Sequence, residues 1–296
     1  NLIAAWFNHK RFAILVGLLG TAGCLGGMVG EAPLLSIINH VQWRTAFIFM
    51  GLITLGLSLL FISLIRNHPP SYNPPPKTEK FNWKALTSLP KNRQFWAIIT
   101  FCFCSWFPVG IMGTLWGVPY ITLSQHLSSS SAAWHASIFW FSLALSSPIF
   151  GWWSEQINNR KLPAYFGIFI GLTSSFLLID APNLSLIWVD IALVGLGVFS
   201  GMQAFTFILL KDNLRAHEFT IGSGMNNMTA IVGAGIAQII YGMLVQINST
   251  GYSQTHANLS AYALQHALII LPIVILICLT TTWTFIKETH CSQLTI

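Results

Sequence analysis

The chain has 296 residues, of which 54% are hydrophobic and only 7% charged, with a net charge of +6 and a mean hydropathy of +0.64. A soluble domain carries about 25% charged residues, so water is excluded as the main solvent. The basic excess lies in short runs between apolar blocks, which marks topology and excludes the basic patch or stripe that a nucleic-acid partner requires.

A bilayer core is crossed by roughly 20 apolar helical residues, because no backbone polar group can be left unpaired in lipid. Eight such blocks predict an all-α integral membrane protein: Phe12 to Ile38, Thr45 to Ile65, Phe95 to Ile121, Ala132 to Trp152, Leu162 to Leu178, Leu184 to Leu210, Phe219 to Ile247, and Tyr262 to Ile286. The first block is too long for a signal-peptide core and has no small-residue cleavage site. Because the chain opens on Asn1, a preceding N-terminal portion is expected.

In the first span, Gly20, Gly23, Gly27 and Gly30 fall on one helical stripe, with Gly26 beside it. Small residues at this spacing let helices approach closely in lipid, so a packing role is expected for them. Glu31 is an acid well inside the same span, where burial costs about 2.5–3.5 kcal/mol on insertion scales. Two readings stay open for it: a solute- or proton-binding carboxylate, or one that is hydrated or structurally hydrogen-bonded.

After the second span comes the one long polar segment, 66–94, opened by Pro69, Pro70, Pro74, Pro75 and Pro76. It reads as a linker between two helix bundles. Its later part, from Phe81 to Leu89, has the pattern of a short amphipathic interfacial helix. In the third span Trp106, Gly110, Gly113, Gly117 and Tyr120 share a stripe, and Pro108 and Pro119 remove backbone donors and favour a kink. The stripe lines a cavity, or its outer aromatics belong to an interfacial belt.

The fourth span carries His135 near its outer end, and the loop that follows contains Gly151, Glu155, Asn158, Asn159, Arg160 and Lys161. In the sixth span Asp190 lies a turn or two inside, and Gln203 sits beside Gly197 and Gly201. The seventh span places Asn227, Ile231, Ala234, Gln238 and Tyr241 on one face, with Ser223 and Asn226 close to it. Amides in hydrocarbon need partners, which are a solute or neighbouring helices. His135, His266 and Asp190 lie where water reaches them, so no metal site is expected.

Cys24, Cys102, Cys104, Cys278 and Cys291 show no paired spacing, so neither a disulfide framework nor a zinc site is implied. Lys10 and Arg11, then Arg66, Lys77, Lys80, Lys84, Lys91 and Arg93, then Arg160, Lys161, Lys211, Arg215 and Lys287 occupy alternate loops, and Arg44 alone lies opposite. Cytoplasmic loops retain positive charge, so both termini are predicted to be cytoplasmic.

This order of features resembles the major facilitator superfamily, whose members join two six-helix bundles through a cytoplasmic linker. Trp6, Phe7, Lys10 and Arg11 before the glycine-rich span, followed by Trp43, Arg44 and Phe47, look like the family's fifth and sixth helices. Gly26 and Gly30 echo the glycine-proline motif of the fifth helix, although Glu31 stands at the proline and Pro33 follows two residues later. Gly151, Glu155, Arg160 and Lys161 resemble the degenerate second copy of the family's gating motif, with Asn158 and Asn159 replacing glycine and arginine. The resemblance implies a partial fold: 1–65 the last two helices of the N-terminal bundle, 66–94 the linker, 95–286 the six-helix C-terminal bundle, and 287–296 a cytoplasmic tail.

It also implies alternating access of a small polar solute, an amino acid or organic anion, by symport or antiport with a proton or sodium ion. The cavity-lining spans then nominate Glu31, Trp106, Tyr120, Gln203, Asn227 and Gln238, with no cofactor and a bacterial inner membrane as location. Two rival expectations are a truncated transporter remnant without independent activity and a polytopic membrane enzyme. The second lacks any nucleophile, acid or metal set at one depth in this sequence.

Overall fold

A computed structural model describes residues 9–65, 88–249 and 260–291. Residues 66–87 and 292–296 lie outside the described residues, and with them most of the expected interfacial helix and linker and the end of the tail.

Eight helical rods follow the predicted apolar blocks closely. The first is α1 (His9–Val41) and the second α2 (Trp43–Leu64), separated by Gln42 alone, whose φ of 64° is the left-handed conformation that turns the chain. The third rod is α3 (Arg93–Gly110), a π-helical stretch Ile111–Leu115, and α4 (Gly117–Ser124). Next come α5 (Ser129–Gln156), α6 (Lys161–Ile179), α7 (Leu186–Asn213) and α8 (Ala216–Ser249). The last rod divides into α9 (Ala261–Ala267) and α10 (Ile270–Thr284). Asn92, Ser128 and Ser260 start their helices by accepting backbone N–H groups of the first turn.

Seven rods are long and apolar enough to cross a membrane; α5 falls short of that test. Its serines and His135 lower its hydropathy, yet Ser137, Ser142, Ser146 and Ser154 are buried. The polar side of α5 therefore faces protein, and the serines donate back to their own helix's carbonyls. The outward faces are apolar: Ile62 is 80% exposed and Phe169 65%, and along α2 Ala46 alone is buried. Such continuous apolar surface needs hydrocarbon around it.

The hydrophobic core is built by α3 to α10, and among the described residues of α1 and α2 only Cys24 joins it. Its tightest contact is α5 against α7. A Cβ on Gly197 would stand 1.9 Å from Ser142 Oγ and 2.4 Å from the Phe139 carbonyl, and one on Gly201 would stand 1.9 Å from Ser146 Oγ. Ser147 Oγ closes the seam by donating to the Gly201 carbonyl at 3.2 Å. On the other side of α7, Gly195 meets Ser174 of α6, and Gly110 of α3 lies on the backbone of Ala234 in α8.

The glycine stripe of α1 behaves differently from the expectation. Only Gly27 meets a neighbour, the Trp140 ring 2.7 Å from its ideal Cβ, whereas Gly20, Gly23, Gly26 and Gly30 have nothing within 4 Å. The reason is that α1 touches α5 along one line: Thr21 Oγ1 donates to the Ala144 carbonyl at 3.4 Å and Ser137 Oγ to the Met28 carbonyl at 3.5 Å. Among the described residues, packing at this stripe is carried by Gly27.

Gly197→Leu is expected to destabilise the fold by about 1–3 kcal/mol through overpacking. Gly224→Leu, at a glycine with open space around it, should shift stability by less than about 0.5 kcal/mol. Thermal unfolding of the two variants in one detergent checks the difference.

Candidate functional site

The third rod breaks where the sequence puts its glycines and prolines. The Trp116 N–H bonds the Ile111 carbonyl five residues back at 3.0 Å, so the ladder widens into a π turn before α4 resumes. Gly117 permits this, because a Cβ there would stand 2.1 Å from the Met112 carbonyl oxygen.

Three elements converge on this break. Trp140 of α5 donates its indole N–H to the Gly113 carbonyl at 2.8 Å. Gln238 of α8 donates to Thr114 Oγ1 at 2.8 Å, and Thr114 donates onward to the Gly110 carbonyl. The Trp140 ring covers Gly27, and Glu31, one helical turn further along α1, lies beside the same side chain. A carboxylate, an indole, a hydroxyl and an amide thus line one path from α1 across α5 and the break to α8. Neither Trp140 nor Thr114 stands out in the sequence, since a tryptophan and a threonine in an apolar run look like packing residues.

The remaining candidates divide. Trp106 is partly buried against the core. Gln203 lies beside Cys102 and Thr206 on the α3–α7 contact. Asn227 is exposed on the α8 face that carries Gln238, while its neighbour Asn226 is fully buried, donating to Thr206 Oγ1 at 2.8 Å. Tyr120 is withdrawn from any cavity: it is fully buried and its hydroxyl donates to the Leu178 carbonyl. The expected stripe assumed an unbroken α-helix from Trp106 to Tyr120; the π turn inserts a residue and rotates everything beyond it, turning Tyr120 into the bundle.

Charged groups gather at the two ends of the α5–α7 pair. At one end His135 Nδ1 and Asp190 Oδ1 are 2.6 Å apart, both half-buried, so the two residues expected in water satisfy each other. At the other, basic, end Arg160 is buried; its Nε contacts Asp212 Oδ2 at 2.9 Å and its Nη1 contacts Ser154 Oγ at 2.7 Å. Thr289 donates to the same Asp212 oxygen at 2.9 Å. Glu288 accepts the backbone N–H groups of Arg160 and Lys161, both at 2.8 Å, capping the start of α6. Of the expected gating residues, Arg160 and Lys161 thus sit in one network, Gly151 accepts from Ser154 one turn before it, and Glu155 stays exposed.

Comparison with known proteins bears on what this arrangement is. The family model for the Major Facilitator Superfamily matches residues 1–118 and 103–290. The chain belongs to this superfamily. Among curated proteins it is 25% identical over 274 residues to the glycerol-3-phosphate transporter of Bacillus subtilis, covering 82% of this chain and 60% of that protein. It is 20% identical over 285 residues to the Probable galactarate/D-glucarate transporter GudP of Escherichia coli, with 83% and 60% covered. The chain therefore spans about 60% of the length of these relatives. Among solved structures, a bacterial homologue of the human lysosomal transporter Spinster, inward-facing and unoccupied, superposes with a TM-score of 0.71 at 17% identity over 96% of this chain and 73% of that one.

The chain is thus a multi-pass membrane protein with the helical fold of a Major Facilitator Superfamily member. Within that fold the basic end has a defined pH response. Burial raises the Glu288 pKa, but the backbone N–H groups of Arg160, Lys161 and His290, together with the His290 charge, outweigh burial and hold it below the ordinary 4.5. A depressed carboxylate stabilises the fold above its unfolded pKa and loses that contribution as pH falls through the folded value. Glu288→Gln is accordingly expected to lower the unfolding midpoint at pH 7, with the difference from wild type closing well below pH 4.5. Thermal unfolding across pH checks it.

Proposed function

We propose that the chain works in secondary transport, moving a small polar solute through the membrane by alternating access around the interrupted α3–α4 rod. The observation that carries this reading is the π break, whose Gly113 carbonyl and Thr114 hydroxyl are engaged by Trp140 and Gln238 next to Glu31. Discontinuous membrane helices concentrate polar backbone where solutes bind, and irregular backbone survives in a membrane only inside protein or against a cavity. Trp106, Gln203 and Asn227 extend the proposed lining toward the middle of the bundle. The residues of the basic end, including Gly151, Glu155, Arg160 and Lys161, form the proposed cytoplasmic gate, with both termini on that side of a bacterial inner membrane.

The two curated relatives are named for a phosphate ester and for hydroxylated dicarboxylates, which supports an organic anion as the solute class over an amino acid. An ionised carboxylate repels such a solute at close range. Glu31 is therefore assigned to the coupling cation, a proton or sodium ion, and the amides of Gln238 and Asn227 to the solute, while the single N–H of Trp140 stays on the Gly113 carbonyl.

Uptake of radiolabelled glycerol 3-phosphate, glucarate and amino acids into proteoliposomes tests the reading. Glu31→Gln is expected to cut gradient-driven accumulation at least tenfold while leaving solute exchange in place, and Asn227→Ala to raise KM several-fold at unchanged abundance. Uptake no greater than that of empty liposomes for every solute would sink the proposal.

A further inference from the structure

A cavity of about 400 Å³ opens at the basic end, away from the π break, where the starts of α3 and α8 meet the ends of α7 and α10. Its wall is stitched together by polar contacts. Glu218 accepts the Ser88 hydroxyl at 2.6 Å and the Arg215 N–H at 3.3 Å. Gln94 donates to the Phe285 carbonyl and accepts the Lys287 N–H at 3.0 Å. These bonds fix the lining but leave its charges unanswered: the Lys91, Arg215 and Lys287 side chains line the cavity and make no hydrogen bond or ion pair among the described residues. Three cations against the single carboxylate of Glu218 leave an excess of two positive charges.

Asn213 adds a second and independent requirement. It lines the same cavity and is 1% exposed, and its Nδ2 donates to the Leu209 carbonyl at 2.9 Å, which fixes the orientation of the amide. Its Oδ1 is then a buried acceptor with no partner. A buried acceptor left unmade is costly, so the occupant supplies a donor as well as negative charge. A bare carboxylate or a phosphate diester without a hydroxyl meets only the first condition.

The place of the cavity limits the source. Trp96, half-exposed with its indole N–H on the Pro90 carbonyl at 2.8 Å, and the exposed Trp283 and Phe285 mark the depth at which aromatic side chains meet lipid headgroups. Basic residues at this depth draw anionic lipid. We infer that this cavity binds a hydroxyl-bearing phosphate group, with Lys91, Arg215 and Lys287 on the phosphate and Asn213 Oδ1 accepting from the hydroxyl. A phosphatidylglycerol headgroup carries this chemistry, and free glycerol phosphate shares it.

Thermal unfolding of the purified chain in neutral detergent, titrated with short-chain lipids, tests the assignment, because a ligand of the folded state raises the midpoint with its concentration. Phosphatidylglycerol is expected to raise the midpoint by several degrees more than phosphatidylcholine at equal mole fraction. Arg215→Gln with Lys287→Gln should raise the half-saturating phosphatidylglycerol concentration at least fivefold, whereas Lys211→Gln, a basic-end cation outside the cavity, should leave it unchanged. Asn213→Leu should erase the preference for phosphatidylglycerol over phosphatidylmethanol, which lacks the hydroxyls. Should Asn213→Leu fail to fold, Lys287→Gln alone carries the comparison. If millimolar glycerol 3-phosphate reproduces the shift, the source is soluble; if only the lipid does, it is the bilayer, and both outcomes uphold the site. Equal shifts from phosphatidylglycerol and phosphatidylcholine, or equal phosphatidylglycerol titrations of wild type and the double variant, overturn it.

Discussion

Close approach of α5 and α7 is the constraint on which the rest of the bundle depends. Two helices in lipid gain nothing from hiding apolar surface, so they must gain from contact. Here Gly197 and Gly201 let α7 settle onto Ser142 and Ser146 of α5. Each of those serines satisfies its own hydroxyl on its own helix, so neither hydroxyl is stranded by the close approach. With that seam fixed, the polar contacts at its two ends, His135 with Asp190 and Arg160 with Asp212, are brought together by geometry, since each joins α5 or the loop after it to α7. Losing one partner of the buried Arg160–Asp212 pair would leave an uncompensated charge, an effect of about 3–5 kcal/mol in comparable pairs.

The break in the third rod is the second consequence of this rigid pair. Trp140 reaches from α5 to the Gly113 carbonyl, and Gln238 reaches from α8 to Thr114, so the π turn is held from two sides by helices that are themselves well packed. A proline-bearing helix without those contacts would have free carbonyls in hydrocarbon. Trp140, one of the side chains that repair the backbone, also borders Glu31. Satisfaction of the broken ladder and construction of a polar site are therefore one structural event.

The eight rods and their bounds were legible in the sequence because lipid enforces long apolar runs with caps and charges between them. Glu31 was legible for the same reason, as the acid that had no business in such a run. Tyr120 was misplaced because a helical stripe presumes a constant period, and Pro108 and Pro119 announce a kink without saying that the ladder widens at Ile111. Trp140 was missed because its role depends on a carbonyl freed 27 residues earlier in the chain. Asp212 and Glu288 were missed because their partners, Arg160 and the start of α6, lie far away in sequence. Apart from the local π turn, what resisted reading was a non-local partnership.

The distribution of weak and strong contacts says where the fold gives way most easily. The core of α3 to α10 is interlocked through glycines, and moving any of its helices would open voids or drive backbone into backbone. Along the α1–α5 line the hydrogen bonds are long, 3.4 Å and 3.5 Å, and of the glycines on the α1 stripe only Gly27 sits tight, under the flat Trp140 ring. Trp140 is anchored on the far side by Gly113, so it stays with α5 if α1 shifts. A glycine passing over an aromatic plane meets no ridge, and Gly23 and Gly30, open on the same stripe, would follow it without a clash. Relative movement of α1 against the α3–α10 unit thus breaks two weak hydrogen bonds along with side-chain packing on that line, and it carries Glu31 along the face of the indole, which is the displacement that would change what this carboxylate meets.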